Sequence, residues 1–357
     1  MSSVYLHWAK TESPTKYNLA SSAVAAVRLQ DLPVSLDDLE LNCTGTYGYL
    51  PLLEAIAARH GVSADCVVTA DGTSMANHLA MAALVRARAG DEVLIEEPSY
   101  EALPALAQYL GVQVRRFPRR EEDAFGLDPA EVEKRLSPRT RLIILTNLHN
   151  PTSALADEGA LAQLGNMASK IGAHVLVDEV YLDAAFDRAP RTAFALGEAF
   201  IVTSSLTKAY GLGGLRCGWI LAQPELARRI WMMNNLFGVD GVHLAQRVGV
   251  LCFQHLAKLA SRARELLDRN WQLYDEFLAQ CPQLECPAIR WGTMSCPRLR
   301  AGSIERLCEI LKHQFETSVV PGRFFGLPQH FRIGLGGESR MFAAGLDRLA
   351  SALRMME

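Results

Sequence analysis

The chain predicts an α/β protein: a large lobe with a mostly parallel seven-stranded sheet covered by helices, plus a smaller α+β lobe from the N- and C-terminal segments. Three observations lead there. From about Cys66 to Ala222, short apolar, β-branched runs alternate with helical patterns, as parallel strands joined by helices do. Long helical patterns follow Pro224, and then a mixed segment holds Pro282, Pro287 and Pro297. The length of 357 residues exceeds a single domain of about 100–200 residues. Residues 1–40 are expected to form an arm and part of the small domain, 41–250 the large domain, and 251–357 the small C-terminal domain.

Taken in order, the expected strands are Cys66–Thr69, Glu92–Ile95, Val112–Phe117, Arg141–Thr146, His174–Val177, Phe200–Thr203 and Arg216–Leu221. Helical patterns cover Ser74–Ala89 and Tyr100–Leu110. A weaker one spans Ala154–Ile171, because Gly159 and Gly165 lie inside it and glycine disfavours a helix interior. The second lobe is expected to carry a helix over Ser303–Phe315, strands near Val319 and at His330–Leu335, and a last helix over Glu338–Leu353. The first 40 residues show no strong periodicity and are expected to pack against this lobe.

Composition excludes several classes. A hydrophobic fraction of 49% and a charged fraction of 21% are those of an ordinary globular chain. The net charge of -3 argues against nucleic acid as a partner, which calls for a basic stripe; Arg115, Arg116, Arg119 and Arg120 are followed at once by Glu121, Glu122 and Asp123. The eight cysteines lack the paired short spacing of a zinc site. No apolar run reaches the length of about 20 residues that spans a bilayer. Leu19–Val27 is too short and too serine-rich for a secretory signal, so a cytoplasmic location is expected, with no membrane partner.

Chemistry concentrates at Ser204-Ser205-Leu206-Thr207-Lys208, followed by Arg216. Lys208 offers an amine able to form a Schiff base, while Ser205 and Arg216 can hold an anion by hydrogen bonding and a planar fork. Ligands of open parallel sheets sit at the carboxyl ends of strands, so the residues just past each strand matter most. After the first, Gly72-Thr73-Ser74 opens a helix whose free N–H groups favour an anion; an ordinary helix cap by Thr73 or Ser74 explains the same residues. After the second, Tyr100 can cover a flat heterocycle. After the fourth, Asn150-Pro151 supplies an amide in a fixed turn, or simply a turn. The fifth ends in Asp178, with Tyr181 close behind. A carboxylate at the tip of so apolar a strand needs a cationic or hydrogen-bonding partner, unless it caps a turn.

The set resembles the aspartate aminotransferase superfamily, the fold type I enzymes that use pyridoxal 5'-phosphate (PLP), from about Thr46 to the C-terminus. The resemblance is carried by Asn150-Pro151, by Asp178 with Tyr181, by Ser205-x-x-Lys208 with Arg216, and by Phe331-Arg332-Ile333. It implies PLP as cofactor, linked to Lys208 and contacted by Gly72, Thr73, Ser74, Tyr100, Asn150, Asp178, Tyr181, Ser205 and Arg216. Arg332 and Asn150 are implied to bind the substrate carboxylate, and Lys208, Asp178 and Tyr181 to be catalytic. A homodimer with shared active sites is implied too, with Tyr47 reaching the neighbouring subunit's cofactor, although Tyr49 competes for that role. Two departures stand out: Ser153 where the family most often has glycine, and Ser21, Ser22 and Ala23 where a glycine usually lies near the substrate carboxylate.

The activity implied is transfer of an amino group between an L-amino acid and a 2-oxo acid. A PLP-dependent lyase, cyclase or acyl transferase would use the same site. Tyr5, Trp8, Trp291 and Met294 are candidates for the side-chain pocket, and core packing explains them equally well.

Overall fold

All seven expected strands form, and they share one sheet. A computed structural model describes residues 3–42 and 47–356; Gly45 and Thr46, at the start of the region of resemblance, lie outside them. The strands are β1 (Val67–Asp71), β2 (Glu92–Glu97), β3 (Gln113–Pro118), β4 (Thr140–Thr146), β5 (His174–Asp178), β6 (Phe200–Ser205) and β7 (Cys217–Leu221). Their order across the sheet is β1-β7-β6-β5-β4-β2-β3. Strand β7 runs antiparallel to both neighbours and every other pairing is parallel. That reversal matters for function. It brings the start of β7 to the edge where β1, β4, β5 and β6 end, so Arg216 joins the residues that follow those strands. Arg216 itself stands just outside the strand, in the left-handed region at φ 54°.

Helices cover both faces. Those of the large lobe include α2 (Leu50–His60), α3 (Gly72–Leu84), α4 (Ala102–Tyr109), α5 (Pro129–Glu133), α6 (Glu158–Lys170) and α7 (Pro224–Asn234), while α1 (Val4–Thr11), from the N-terminal arm, packs Tyr5 and Trp8 with Val320 and Phe325 of the second lobe and with Tyr100. The segment discounted for its glycines is therefore a full helix. Asp157 caps α6 by accepting from the Ala160 N–H at 3.0 Å, and Gly165 lets it lie close on the sheet. A Cβ there would stand 2.5 Å from the ring of Phe200.

Helices α8 (His243–Gln254) and α9 (Leu256–Ala279) lead to the second lobe. There β8 (Met294–Ser295) and β9 (Val320–Pro321) flank β10 (Phe331–Gly334) in an antiparallel sheet, with α10 (Ile304–Phe315) and α11 (Ser339–Arg354) beside it. No helix among the described residues is long and apolar enough to cross a membrane.

The N-terminal segment is more ordered than its weak periodicity suggests. After α1, Tyr17–Asn18 pairs in parallel with Thr317–Ser318. The chain then runs between the two lobes. Leu19 O accepts from Gly334 N at 2.7 Å, Ala25 N donates to Gly336 O at 2.6 Å, and Val24 N donates to Lys208 O at 2.9 Å. Residues 19–25 are thus fixed to β10 on one side and to the lysine loop on the other.

Candidate active site

The helix N-terminus, the serine and the arginine meet at one corner. Gly72 begins α3 at φ 77°, and a Cβ on it would lie 2.2 Å from Arg216 Nη2, so only glycine lets the guanidinium rest there. Arg216 donates to Asp71 O at 3.0 Å and to Gly213 O at 3.2 Å. Thr73 Oγ1 donates to Ser205 Oγ at 2.8 Å. Among the described residues no carboxylate pairs with Arg216. Hydroxyls, an unpaired guanidinium and the free N–H groups of α3 together make an anion cradle.

Asp178 ends β5 in full burial. Its Oδ2 accepts from Asn77 Nδ2 at 2.8 Å and its Oδ1 from Val180 N at 3.1 Å. Burial outweighs those hydrogen bonds and raises its pKa to about 6, the mark of a carboxylate that lacks a cation. Nearby, Ser22 Oγ lies 2.8 Å from the Tyr181 hydroxyl and accepts from Lys208 Nζ at 3.2 Å. Burial drives the Lys208 pKa below its usual value; the charges of Arg332 and Arg216 act the same way, against Tyr5 and Asp178. An amine so placed is partly prepared to act as a base.

Arg332, on β10, is 0% exposed. Nη1 donates to Asn150 Oδ1 at 2.9 Å, and Nη2 donates to the Tyr5 hydroxyl at 2.8 Å and to Ala20 O at 3.1 Å. Nε has no partner. A buried guanidinium with neutral neighbours and a spare donor is a receptor for an anion. Asn150 is fixed in turn, since its N–H donates to Thr146 Oγ1 at 2.9 Å and its side-chain oxygen is held by Arg332. That leaves the Asn150 amide nitrogen as the donor toward the site.

One cavity of about 190 Å³ is lined by Thr73, Ser74, Tyr100, Asn150, Asp178, Tyr181, Ser205, Lys208 and Arg216. Gly72 underlies it through Arg216, and Arg332 adjoins it through Asn150. Tyr47 does not join them: it is half exposed and its ring lies 6.1 Å from that of Trp231. Of the four pocket candidates, Tyr5 lines the cavity. Trp8 stacks behind it at 6.4 Å, while Met294 and Trp291 pack with Leu148 and Val180 in a separate cluster. Ser153 adopts the left-handed conformation a glycine would take, at φ 62°, and its hydroxyl donates to Met294 O at 2.7 Å. Asn77, Leu6 and Thr207 also line the cavity. For Asn77 the sequence does hold a signal, an amide beside His78 within the otherwise apolar run Met75–Leu84.

The model of the family described as aminotransferase class I and II matches residues 8–349. The chain belongs to that family. It is 31% identical to capreomycidine synthase of Streptomyces vinaceus over 89% of this chain and 82% of that protein. Among solved structures it resembles a PLP-dependent aminotransferase of Streptococcus suis 89-1591, at TM-score 0.91 and 24% identity over 99% of this chain and 97% of that one. It also resembles the PLP-dependent cyclase OrfR, at TM-score 0.90 and 25% identity over 100% and 98%. The protein is therefore a PLP-dependent enzyme of the aspartate aminotransferase fold.

The residues present fit that cofactor. The Gly72 cradle suits a phosphate, the uncompensated Asp178 suits a cationic ring nitrogen, and the buried Lys208 suits an aldehyde.

Proposed function

We propose that the protein is an aminotransferase that moves an amino group between an L-amino acid and a 2-oxo acid. The observation that carries this reading is a buried Lys208 lining the cavity together with a buried Arg332 that adjoins it through Asn150 and whose Nε is unpartnered among the described residues. In this reading Gly72, Thr73, Ser74, Ser205 and Arg216 hold the cofactor phosphate. Tyr100 covers the ring, Asp178 faces its nitrogen, and Asn150 and Tyr181 donate to its phenolic oxygen. Bound there, the cofactor supplies an electron sink that eases loss of the Cα hydrogen. Arg332, with Asn150 behind it, grips the α-carboxylate as a fork and turns that hydrogen toward Lys208. Lys208 then carries the proton, a task favoured by its lowered pKa.

The reading extends to assembly. Leu236, Phe237, Val239 and Val242 are exposed, and Phe237 and Val242 line a cavity that includes Arg216 and Asp71. An apolar surface of this kind is suited to a protein partner, so a homodimer is proposed in which Tyr47 and its surroundings complete the neighbour's phosphate corner. A monomer mass in light scattering would remove that part. The proposed large domain, residues 41–250, then holds the cofactor, with residues 1–40 and 251–357 closing over the substrate, and the enzyme works in the cytoplasm.

A second reading is favoured by a specific observation. One relative is named a synthase of capreomycidine and one solved neighbour a cyclase, so cyclisation of an amino acid on the same residues is the alternative. One experiment separates them. Borohydride reduction and peptide mapping should place a cofactor adduct on Lys208, and a panel of L-amino acids with 2-oxo acids should yield a new amino acid and a new 2-oxo acid. A product that keeps its nitrogen and forms without any 2-oxo acid would replace transamination with cyclisation. An adduct on another lysine would sink both.

A further inference from the structure

Asp178 is held by a residue that belongs to none of the motifs above. Asn77 lies one turn into α3, is 3% exposed, and packs against the sheet beneath the cavity. Both ends of its amide are engaged. Its Oδ1 accepts from Thr203 Oγ1 at 2.6 Å, and its Nδ2 donates to Asp178 Oδ2 at 2.8 Å. The carboxylate, an acceptor only, decides which end of the amide faces it, and the Thr203 bond pins the amide in that place. A flipped amide would set oxygen against oxygen, so the donor always points at the carboxylate. Val180 N satisfies the other carboxylate oxygen. With one donor on each oxygen, the carboxylate is fixed in its plane and favoured in its charged form.

We infer that Asn77, oriented by Thr203, is a positioning residue that keeps Asp178 ionised and aimed at the cofactor's ring nitrogen. This rests on the proposed role of Asp178. Asn77 contributes nothing to the phosphate corner, where Thr73, Ser205 and Arg216 act. Its influence should therefore be felt only by a ligand that carries the ring nitrogen.

The test compares two ligands on the full-length protein freed of cofactor: PLP, and the analogue with carbon in place of the ring nitrogen. Tryptophan fluorescence gives both dissociation constants at neutral pH. The wild-type protein should bind PLP more tightly than the analogue. In Asn77→Leu, loss of one hydrogen bond to a charged group should weaken PLP by on the order of tenfold and leave the analogue within about twofold. Thr203→Val, which frees the amide without removing it, should shift PLP the same way by less. Equal weakening of both ligands would mean a merely structural role and overturn the inference, as would unchanged PLP binding in both variants. Wild-type protein that fails to distinguish the ligands would overturn the role of Asp178 and this inference with it. If wild type distinguishes them and the variants do so equally well, only Asn77 is excluded. Should Asn77→Leu fail to fold, Thr203→Val decides.

Discussion

Arg332 carries a full charge between Tyr5, Asn150 and a backbone carbonyl, with no carboxylate among the described residues to balance it. Lysine at the same position would keep the charge and lose the planar fork, so the two side chains separate charge from geometry. Arg332→Lys is expected to lower kcat/KM for the amino acid by on the order of a hundredfold. The absorbance and affinity of bound PLP should stay near wild type, because the arginine touches the cofactor's neighbours and not its phosphate corner. Steady-state kinetics beside a cofactor titration checks this, and an equal loss in both measurements would contradict it. At this scale the sequence was informative wherever a residue follows a strand. Lys208, Asp178 and Asn150 were legible because strand ends converge on one edge of a sheet, and Arg216 because it follows Lys208 at a motif spacing. Tyr5 was a pocket candidate that core packing explained equally well, and Ser22 stood out only as a departure from glycine; its hydrogen bonds to Tyr181 and Lys208 depend on the path of residues 19–25, which is set by contacts with Lys208 and Gly334 far along the chain.

Elements were legible where hydrophobic pattern and propensity agreed, and α6 shows what happens when they differ. Gly165 counts against a helix in isolation, by about 1 kcal/mol relative to alanine. In the folded chain it sits over Phe200 on β6, where there is no room for a methyl group. Gly165→Ala should therefore destabilise the protein by about 1–3 kcal/mol, the usual cost of overpacking, although helix propensity alone predicts a gain. Denaturant unfolding reads the sign directly, and a more stable variant would show that α6 can lift off the sheet without cost. Helix α1 escaped the pattern for a different reason: with eight residues it is too short for periodicity to register, and it is held by tertiary contacts of Tyr5 and Trp8. Six of the seven strands left little ambiguity, since each holds an apolar run; β3, at the sheet edge, carries Gln113, Arg115 and Arg116 instead. Only the direction of β7 lay beyond the pattern, because a buried strand looks the same read either way.

The molecule as a whole places two buried carboxylates side by side at the tip of β5, and only one of them faces the cavity. In the proposed site Asp178 gains a cationic partner when the cofactor binds. Glu179 points away, accepts from Ala193 N at 2.7 Å, and has no cation beside it among the described residues. Burial raises its pKa to about 8. The folded chain therefore holds a proton on Glu179 that the unfolded chain releases at lower pH. The stability tied to that proton is present below the ordinary glutamate value of 4.5 and is lost as pH rises through about 8. Cofactor binding as proposed would offset the matching cost at Asp178 and leave this one in place. Glu179→Gln keeps the acceptor for Ala193 N and removes the ionisation. Relative to wild type it should gain on the order of a few kcal/mol at about pH 9 and little at about pH 4, with or without PLP. Unfolding in denaturant at the two pH values measures the gap. A difference independent of pH would show that Glu179 is ionised at no cost in the folded protein, and that β5 tolerates two adjacent charges where only Asp178 has a partner to receive one.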